Sequence, residues 1–202
     1  MGYTAIVDYG VGNLKSVANA MAYIGQQTMV TNDPRELELA DAIILPGVGA
    51  FPDAADKLRE ARLDEILSAQ AGRKPILGIC LGMQLLFDWG EEGRHCEGLG
   101  LVSGCVKRIQ TDLKLPHIGW NNLTFPNASP LFQGVDDGAY VYFVHSFCGH
   151  AQYGEDVIAC TQYGLPVVAA VAHNGVYGCQ FHPEKSGETG LQILKNFGGL
   201  NR

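Results

Sequence analysis

Apolar residues along this chain follow two patterns, and the pattern changes near Phe87. Before that point, short apolar runs alternate with stretches in which apolar residues recur every three to four positions. The runs predict buried strands, and the recurring stretches predict helices with one apolar face. After that point, short apolar runs recur between turn residues, which is typical of antiparallel or mixed strands. A helix with Leu191, Leu194 and Phe197 on one face is expected to close the chain.

The first part of the chain therefore predicts repeated β-α units. The predicted strands are 3–8, 28–30, 42–45 and 75–79, and the predicted helices are 13–25, 33–39, 54–71 and 81–87. Units of this kind form an open, mostly parallel sheet with helices on both faces and right-handed crossovers. The C-terminal half is expected to add an antiparallel or mixed extension to this α/β sheet.

Size and composition favour one domain over residues 1–202. With 202 residues, of which 47% are hydrophobic and 17% charged, the chain can bury a substantial core. No repeat, low-complexity tract or linker divides it. The net charge of −7 and the lack of a basic run argue against binding to nucleic acid or to an anionic membrane surface. We expect proteins or small molecules as partners.

The sequence predicts neither secretion nor membrane insertion. The N-terminus leads directly into an apolar strand, without the basic start and long apolar run of a signal peptide. No apolar run is long enough to span a bilayer. The six cysteines form no C-x-x-C pair and lack zinc-ligand spacing. We therefore expect a cytoplasmic protein with free thiols and with no metal or cofactor.

Cys80 is the first candidate for chemistry, because Gly78 and Gly82 flank it where a buried strand turns into a helix. Larger side chains at the two glycines would collide as the backbone reverses. A thiol at a helix N-terminus meets unpaired N–H groups and the positive end of the helix dipole, which favour the thiolate. This pattern predicts a nucleophile. The alternative is a small buried hydrophobic residue, as many free cysteines are.

A glycine loop at 46–51 follows the third predicted strand, at the edge of the sheet where ligands bind in open α/β folds. If the fourth predicted strand is its neighbour, the loop lies beside Cys80 and its amides can approach a ligand. The alternative is a plain turn in which Gly47 and Gly49 supply positive φ angles. The earlier glycine loop before Asn13 lacks the third glycine of the phosphate-binding pattern, so we interpret it as a tight turn capped by that asparagine.

A short motif near the C-terminus, His182-Pro183-Glu184, follows a predicted strand. The proline forces the chain out of the sheet, so the histidine and the glutamate leave on the same side. A carboxylate orients a neighbouring imidazole ring and stabilises the imidazolium that forms when the ring takes a proton from a thiol. The motif thus predicts the base that Cys80 needs. The alternative is a structural histidine at a strand end beside a solvated glutamate.

The sequence resembles the class I glutamine amidotransferases through three motifs in their usual order: Pro46-Gly47-Val48-Gly49, Gly78-Ile79-Cys80-Leu81-Gly82-Met83-Gln84 and Phe181-His182-Pro183-Glu184. The match covers almost the whole chain. The stretches 8–13, 116–121 and 142–146 further resemble the glutaminase subunits that serve histidine biosynthesis within this family. The resemblance implies a flavodoxin-like fold and hydrolysis of L-glutamine to glutamate and ammonia. It also implies that the ammonia passes to a separate (β/α)8-barrel cyclase subunit.

The resemblance implies covalent catalysis in which Cys80, His182 and Glu184 form a catalytic triad. Attack by a thiolate splits amide hydrolysis into the formation and the hydrolysis of a thioester, each through a tetrahedral oxyanion. The donors expected for the oxyanion are two backbone N–H groups, one directly after the nucleophile and one in the glycine loop: that of Leu81, and that of Val48 or Gly49.

Further residues receive a role from the resemblance alone. The residues expected to hold the two ends of glutamine are Gln84, Glu92 and the backbone of Ser146 and Phe147. The residues expected to face the cyclase are Asn13, Trp120, Asn121 and Lys185. Two alternatives stay open, a solvated acidic loop at Glu92 and a plain core aromatic at Trp120. Three histidines are expected to be structural: His117, His145 and His173.

Other functions are compatible with the same motifs. The chain could serve a different synthase, such as one for pyridoxal phosphate or purine precursors, or it could be a binding protein on a degenerate amidase fold. It could also be a cysteine peptidase. Three observations distinguish a glutaminase for histidine biosynthesis from these alternatives. The synthase that accelerates the chain identifies its partner, and the presence of all three triad members argues against a degenerate binding protein. Activity on glutamine rather than on peptides argues against a peptidase.

Overall fold

The computed structural model describes residues 2–200 of the chain. The strands are β1 (Thr4–Val7), β2 (Thr28–Thr31), β3 (Ala42–Gly47), β4 (Ile76–Cys80), β5 (Phe87–Gly90), β6 (Cys96–Glu97), β7 (Val102–Arg108), β8 (His117–Asn122), β9 (Tyr140–His145), β10 (Phe147–Ala151), β11 (Val157–Gln162), β12 (Pro166–His173) and β13 (Val176–Cys179). The helices are α1 (Leu14–Tyr23), α2 (Pro34–Leu39), α3 (Phe51–Glu60), α4 (Leu63–Gln70), α5 (Leu81–Leu85) and α6 (Gly187–Gly199). Short 3-10 helices are Pro130–Phe132, Gly154–Asp156 and Pro183–Lys185.

Seven strands form the central sheet, in the order β11-β12-β13-β4-β3-β1-β2. The five strands from β13 to β2 are parallel to one another, and β12 and β11 extend the sheet by antiparallel pairing. β3 and β4 are neighbours, with Gly47 opposite Cys80. The glycine loop and the cysteine turn therefore leave the same edge of the sheet side by side.

Helices cover both faces of this sheet. Successive strand residues point to opposite sides, so buried strands present an apolar face on each side, and each face packs against helices. On one face, Ile6, Ile44 and Leu77 pack with residues of α1 and α6. On the other face, Val7 and Leu45 pack with residues of α2, α3 and α4. The predicted α/β fold, a mostly parallel open sheet with helices on both faces and an antiparallel extension, is confirmed.

The rest of the chain forms two smaller sheets beside the central one. One has four strands in the order β10-β7-β5-β6, and the other is an antiparallel hairpin of β8 and β9. The C-terminal half thus does more than lengthen the main sheet, since only β11, β12 and β13 join it. Over residues 2–200, no helix is both long and apolar enough to cross a membrane.

Two predicted helices differ from those in the structure. The predicted helix 54–71 is split into α3 and α4, because Arg62 has a left-handed φ of 55°. Leu58 and Leu63 are both buried, although five positions on a continuous helix would point them about 140° apart. The break brings both to the core and leaves Ala61, which the pattern predicts to face inward, exposed. The helix predicted to reach Phe87 ends two residues earlier, and the residues from Phe87 to Gly90 form β5.

Candidate active site

The turn at Cys80 is fixed by the close approach of backbone segments. Cys80 ends β4 with a φ of 55° and a ψ of −111°, a conformation that residues other than glycine rarely adopt. A β-carbon at Gly78 would meet the backbone of Gly82, and one at Gly82 would collide with the carbonyl of Leu45 in β3. The flanking glycines are therefore required by contact, and the strained turn directs the thiol into a cleft at the sheet edge.

Neighbouring strands bring the three predicted triad residues together. β13 runs parallel to β4 and beside it, so His182, three residues beyond β13, reaches the edge at which Cys80 lies. Nδ1 of His182 is 2.8 Å from Oε1 of Glu184. Because a carboxylate oxygen accepts a hydrogen bond, Nδ1 carries the proton and donates it. Nε2 is then the ring atom available to the sulfur.

The surroundings of His182 favour its protonated form. The side chains of His182 and Glu184 are 3% and 2% exposed. Burial alone would lower the pKa of His182, but its interactions with Cys80 and Glu184 outweigh burial and raise that pKa to about 9. Within residues 2–200, Nε2 itself makes no hydrogen bond. The arrangement thus places a readily protonated imidazole beside the sulfur, with Nε2 free to exchange a proton.

A cleft of about 360 Å³ opens beside the thiol of Cys80. Its lining contains His182 and every residue that the sequence predicts for the oxyanion and for glutamine: Val48, Gly49, Leu81, Gln84, Glu92, Ser146 and Phe147. Three further lining residues have no predicted place there: Pro116, Val144 and His145. Glu184 is absent from the lining because it lies behind His182. A cleft of this size suits a small molecule.

The predicted oxyanion donors reach the cleft from two sides. Leu81 is the first residue of α5, so no helical carbonyl one turn earlier can accept from its N–H. Across from it, Gly49 has a φ of 101° and Val48 is 43% exposed. The hydroxyl of Tyr9 donates to the carbonyl of Pro46 at 2.8 Å and anchors the start of the glycine loop. The donor-bearing part of the loop lies beyond this anchor.

Glu92 joins the other end of the glycine loop to the cleft. Its Oε2 accepts a hydrogen bond from the backbone N–H of Phe51, the first residue of α3, at 2.8 Å. It thereby caps a helix whose own N-cap, Ala50, has no side-chain oxygen. Glu91 is exposed and outside the lining. The alternative that Glu92 belongs to a plain solvated loop is therefore wrong. Its carboxylate can attract a cationic group of a bound ligand.

Gln84 lies in the cleft with both hydrogens of its amide engaged. Its Nε2 donates to the carbonyl of Phe147 and to Oε1 of Gln180, each at 3.0 Å. The remaining polar atom of Gln84, Oε1, is an acceptor and suits an ammonium group. Nε2 of Gln180 lies 3.9 Å from Sγ of Cys80. No local pattern marks Gln180 in the sequence, because its two partners are 96 and 100 positions away.

Two buried histidines support the wall of the cleft. His145 Nδ1 lies 2.8 Å from the carbonyl of Phe147, and His145 Nε2 lies 3.1 Å from Nδ1 of His117. Because the carbonyl only accepts, His145 donates from Nδ1 and accepts at Nε2. Nε2 of His117 then accepts from the side-chain amide of Asn121 at 3.2 Å. Burial lowers the pKa of both histidines to about 4, which keeps this series neutral and agrees with the predicted structural role.

The residues predicted to face a partner lie at the surface near the cleft. Asn13, Trp120 and Lys185 are exposed, and Asn121 is half-buried. Trp120 is 56% exposed, so the alternative of a plain core aromatic is wrong. Its ring meets that of Tyr142 edge-on, with 6.1 Å between the ring centroids. Asn13 caps α1, as predicted.

Comparison with known proteins relates this geometry to a family. The model of the glutamine amidotransferase class-I family matches residues 5–199. The chain is 49% identical over 197 residues to imidazole glycerol phosphate synthase subunit HisH of Bacillus thuringiensis (strain Al Hakam), with 97% of this chain and 94% of that one covered. The subunit of the same name from Bacillus anthracis is 48% identical with the same coverage.

Solved structures share the fold at lower identity. PurLQS from Thermotoga maritima has a TM-score of 0.77 at 21% identity, with 97% of each chain covered. A glutamine amidotransferase from the same organism has a TM-score of 0.63 at 16% identity, with 93% of this chain and 78% of that chain covered. With the family model matching almost the whole length, the chain belongs to the class I glutamine amidotransferase family. Within that family it is similar, from end to end, to the HisH subunits of imidazole glycerol phosphate synthase.

Proposed function

We propose that this chain is the glutaminase subunit of an imidazole glycerol phosphate synthase. It hydrolyses L-glutamine and supplies the ammonia to a (β/α)8-barrel cyclase subunit in histidine biosynthesis. The observation that carries this proposal is the meeting of Cys80 and His182 at one cleft, with Glu184 bonded to the histidine from behind, in a chain that is 49% identical to a subunit of such a synthase.

In this mechanism, Nε2 of His182 takes the proton of the Cys80 thiol and the thiolate attacks the side-chain amide carbon of glutamine. Glu184 orients the ring through Nδ1 and stabilises the imidazolium, in line with the raised pKa of His182. The imidazolium gives its proton to the departing ammonia, which leaves a thioester on Cys80. His182 then takes a proton from water, the hydroxide attacks the thioester, and glutamate leaves as the sulfur recovers its proton.

Both steps place negative charge on the former amide oxygen. The donors for this oxyanion are the N–H of Leu81 and the N–H of Val48 or Gly49. In support, Leu81 begins a helix that ends the nucleophile turn, and the glycine loop lines the opposite side of the cleft. Loss of one such donor costs about 3 kcal/mol of transition-state stabilisation in comparable enzymes. The position of the glycine loop therefore sets much of the rate.

Glutamine binds with its ammonium group between the carboxylate of Glu92 and Oε1 of Gln84. Both atoms can accept, and Gln84 has no amide hydrogen left to offer a carboxylate. The α-carboxylate needs donors, and the backbone N–H groups of Ser146 and Phe147 border the same cleft. The carbonyl of Phe147 is already shared by two donors, so it supports the wall rather than the ligand.

The cyclase binds across one face of the β8–β9 hairpin, here named the hairpin face and made up of Ile118, Trp120, Tyr140, Tyr142 and Val144. Ile118, Trp120 and Tyr140 are each more than half exposed, and large aromatic residues are enriched in protein interfaces. Val144 also lines the cleft. Ammonia leaving the cleft therefore reaches a docked partner without crossing open water. Asn13 and Lys185 contribute polar contacts around this face, and Asn121 supports the hairpin from its other side, where its side-chain amide bonds His117 and the carbonyl of Gln162.

The proposal includes one domain over residues 1–202 and a cytoplasmic location. In support of one domain, the central sheet takes neighbouring strands from both ends of the chain, with β4 between β13 and β3. In support of the location, all six cysteines are unpaired, as is usual in a reducing compartment.

The test compares two ammonia sources in the complex with the cyclase. Cys80→Ala is expected to reduce glutamine-dependent synthesis by about a thousandfold or more, while synthesis from added ammonium salt continues. Cys160→Ala, which changes a half-buried cysteine outside the cleft, is the matched control and keeps both activities. Glutamine-dependent synthesis by the Cys80→Ala complex would contradict the proposal.

A further inference from the structure

Gln180 is a buried polar residue next to the proposed nucleophile. Its side chain is fully buried at 0% exposure, and it lies between β13 and His182 in the chain. Its Nε2 approaches Sγ of Cys80 at 3.9 Å, and its Oε1 accepts from Gln84 at 3.0 Å. A buried amide of this kind is costly to leave unpaired, so its partners determine its orientation.

A backbone carbonyl fixes which end of the Gln180 amide faces the sulfur. The carbonyl of Phe147 can only accept, so the group of Gln84 that bonds it is the amino group, Nε2. The second hydrogen of that amino group must meet an acceptor, which is Oε1 of Gln180. The amide of Gln180 is therefore turned so that its own N–H group points to the sulfur of Cys80.

We propose that Gln180 is a further catalytic residue, whose side-chain N–H donates to Sγ of Cys80 and stabilises the thiolate. The proposal rests on the proposed role of Cys80 as the nucleophile. Hydrogen bonds to charged groups are stronger than those between neutral groups, and a buried setting strengthens them further. Gln84 is the positioning residue in this arrangement, because it holds the amide of Gln180 in the productive orientation from the side where glutamine binds.

Gln180 and His182 have different roles in this arrangement. His182 moves a proton and must lose and regain it in each cycle, while Gln180 keeps its hydrogens throughout. Removal of the Gln180 donor should therefore leave proton transfer possible and make the thiolate less stable. The expected signature is a shift in the pH dependence of sulfur reactivity, which a purely structural residue would not produce.

The test measures alkylation of Cys80 by iodoacetamide in the full-length chain between pH 5 and 9, with the modified peptide quantified by mass spectrometry. Gln180→Met keeps the length of the side chain and removes the donor. We expect its alkylation rate at pH 6 to fall by about tenfold, because a hydrogen bond to a charged group is lost, and its pH midpoint to move upward. Gln70→Met changes another buried glutamine outside the cleft and is the matched control with an unchanged profile.

Alkylation of a folded Gln180→Met chain within twofold of the unmodified chain at every pH would overturn the proposal. If that variant does not fold, Gln84→Met is measured in its place. It leaves Gln180 intact but frees its amide to rotate, and it should lower the alkylation rate at pH 6 by a smaller factor. An unchanged rate there would overturn the proposal as well. Glutaminase activity in Cys80→Ala would instead refute the proposed nucleophile, so the two failures are distinguishable.

Discussion

The cysteine turn and the glycine loop end neighbouring strands at the same edge of the sheet, but the fold holds them in different ways. A β-carbon at Gly82, in the cysteine turn, would overlap the carbonyl of Leu45, whereas a β-carbon at Gly49, in the glycine loop, would meet nothing within 4 Å. Cys80 is almost fully buried, while Val48 is largely open to solvent. Backbone contact thus fixes the turn that carries Cys80, the proposed nucleophile, whereas Gly49, in the part of the loop proposed to carry an oxyanion donor, has no such contact.

This difference assigns the two parts different tasks. The proposed nucleophile, Cys80, and its proposed base, His182, are positioned by the sheet, because they depend on β3, β4 and β13 and on backbone packing. The glycine loop, which carries the other proposed donor, is held at its two ends, by the bond of Tyr9 to Pro46 and by the bond of Glu92 to Phe51. On the proposed mechanism, we therefore expect a partner or a bound ligand to change the rate by acting on the loop, without disturbing Cys80, His182 and Glu184.

The largest expected effect is loss of the cysteine turn. Gly82→Ala places a β-carbon against the backbone carbonyl of Leu45, which cannot move without shifting β3. We expect the free energy of unfolding to fall by more than about 3 kcal/mol. Urea denaturation followed by circular dichroism measures this change. A fall below about 1 kcal/mol would show that the turn is not held by backbone contact.

The matched substitution in the glycine loop should change activity more than stability. Gly49→Ala meets open space, but its φ of 101° is strained for alanine and costs about 1–2 kcal/mol if it is kept. Relaxation of that strain turns the local amides away from the oxyanion. We expect kcat for glutamine hydrolysis to fall by roughly a hundredfold. Alkylation of Cys80 should be unchanged, and a normal kcat would exclude this part of the loop as a donor.

The triad predicts a dependence of stability on pH. The pKa of His182 is raised to about 9 in the folded chain, so its contribution to stability is fully present below about pH 6.5 and is lost as the pH rises towards 9. We expect this loss to be on the order of 2 kcal/mol, measured as the free energy of unfolding at pH 6, 7.5 and 9. Glu184→Gln removes one source of the raised pKa and should reduce the loss. An equal loss in the variant would contradict the pairing.

The smallest expected effect on stability is at the hairpin face. Trp120 is more than half exposed, so Trp120→Ala should change the free energy of unfolding by less than about 0.5 kcal/mol. The affinity of the Trp120→Ala chain for the cyclase should be about tenfold or more below that of the unmodified chain, because exposed aromatic residues are frequent anchors of interfaces. Titration calorimetry measures this affinity. Tyr153→Ala, at another exposed aromatic residue, is the control, and equal affinities of the two variants would contradict the proposed docking surface.

Local patterns in the sequence predict the parallel half of the fold well, because each strand and helix there repeats its apolar residues at its own period. They do not predict the break at Arg62, where no glycine or proline interrupts the pattern. By contrast, the turns that present Cys80 and His182 can be predicted, because glycines flank Cys80 and a proline follows His182. The contacts of Glu92 with Phe51 and of Gln84 with Gln180 join residues 41 and 96 positions apart. Such contacts depend on how the strands and loops assemble, and no repeat of apolar residues along the sequence predicts them.

The most direct test of the account is covalent labelling of the complex with a diazoketone analogue of glutamine. An electrophile bound in place of glutamine reacts with the nucleophile that faces its reactive carbon. The account predicts one adduct, on the peptide that contains Cys80, and protection from labelling by excess glutamine. Labelling of another cysteine, or labelling of Cys80 that excess glutamine does not prevent, would contradict it.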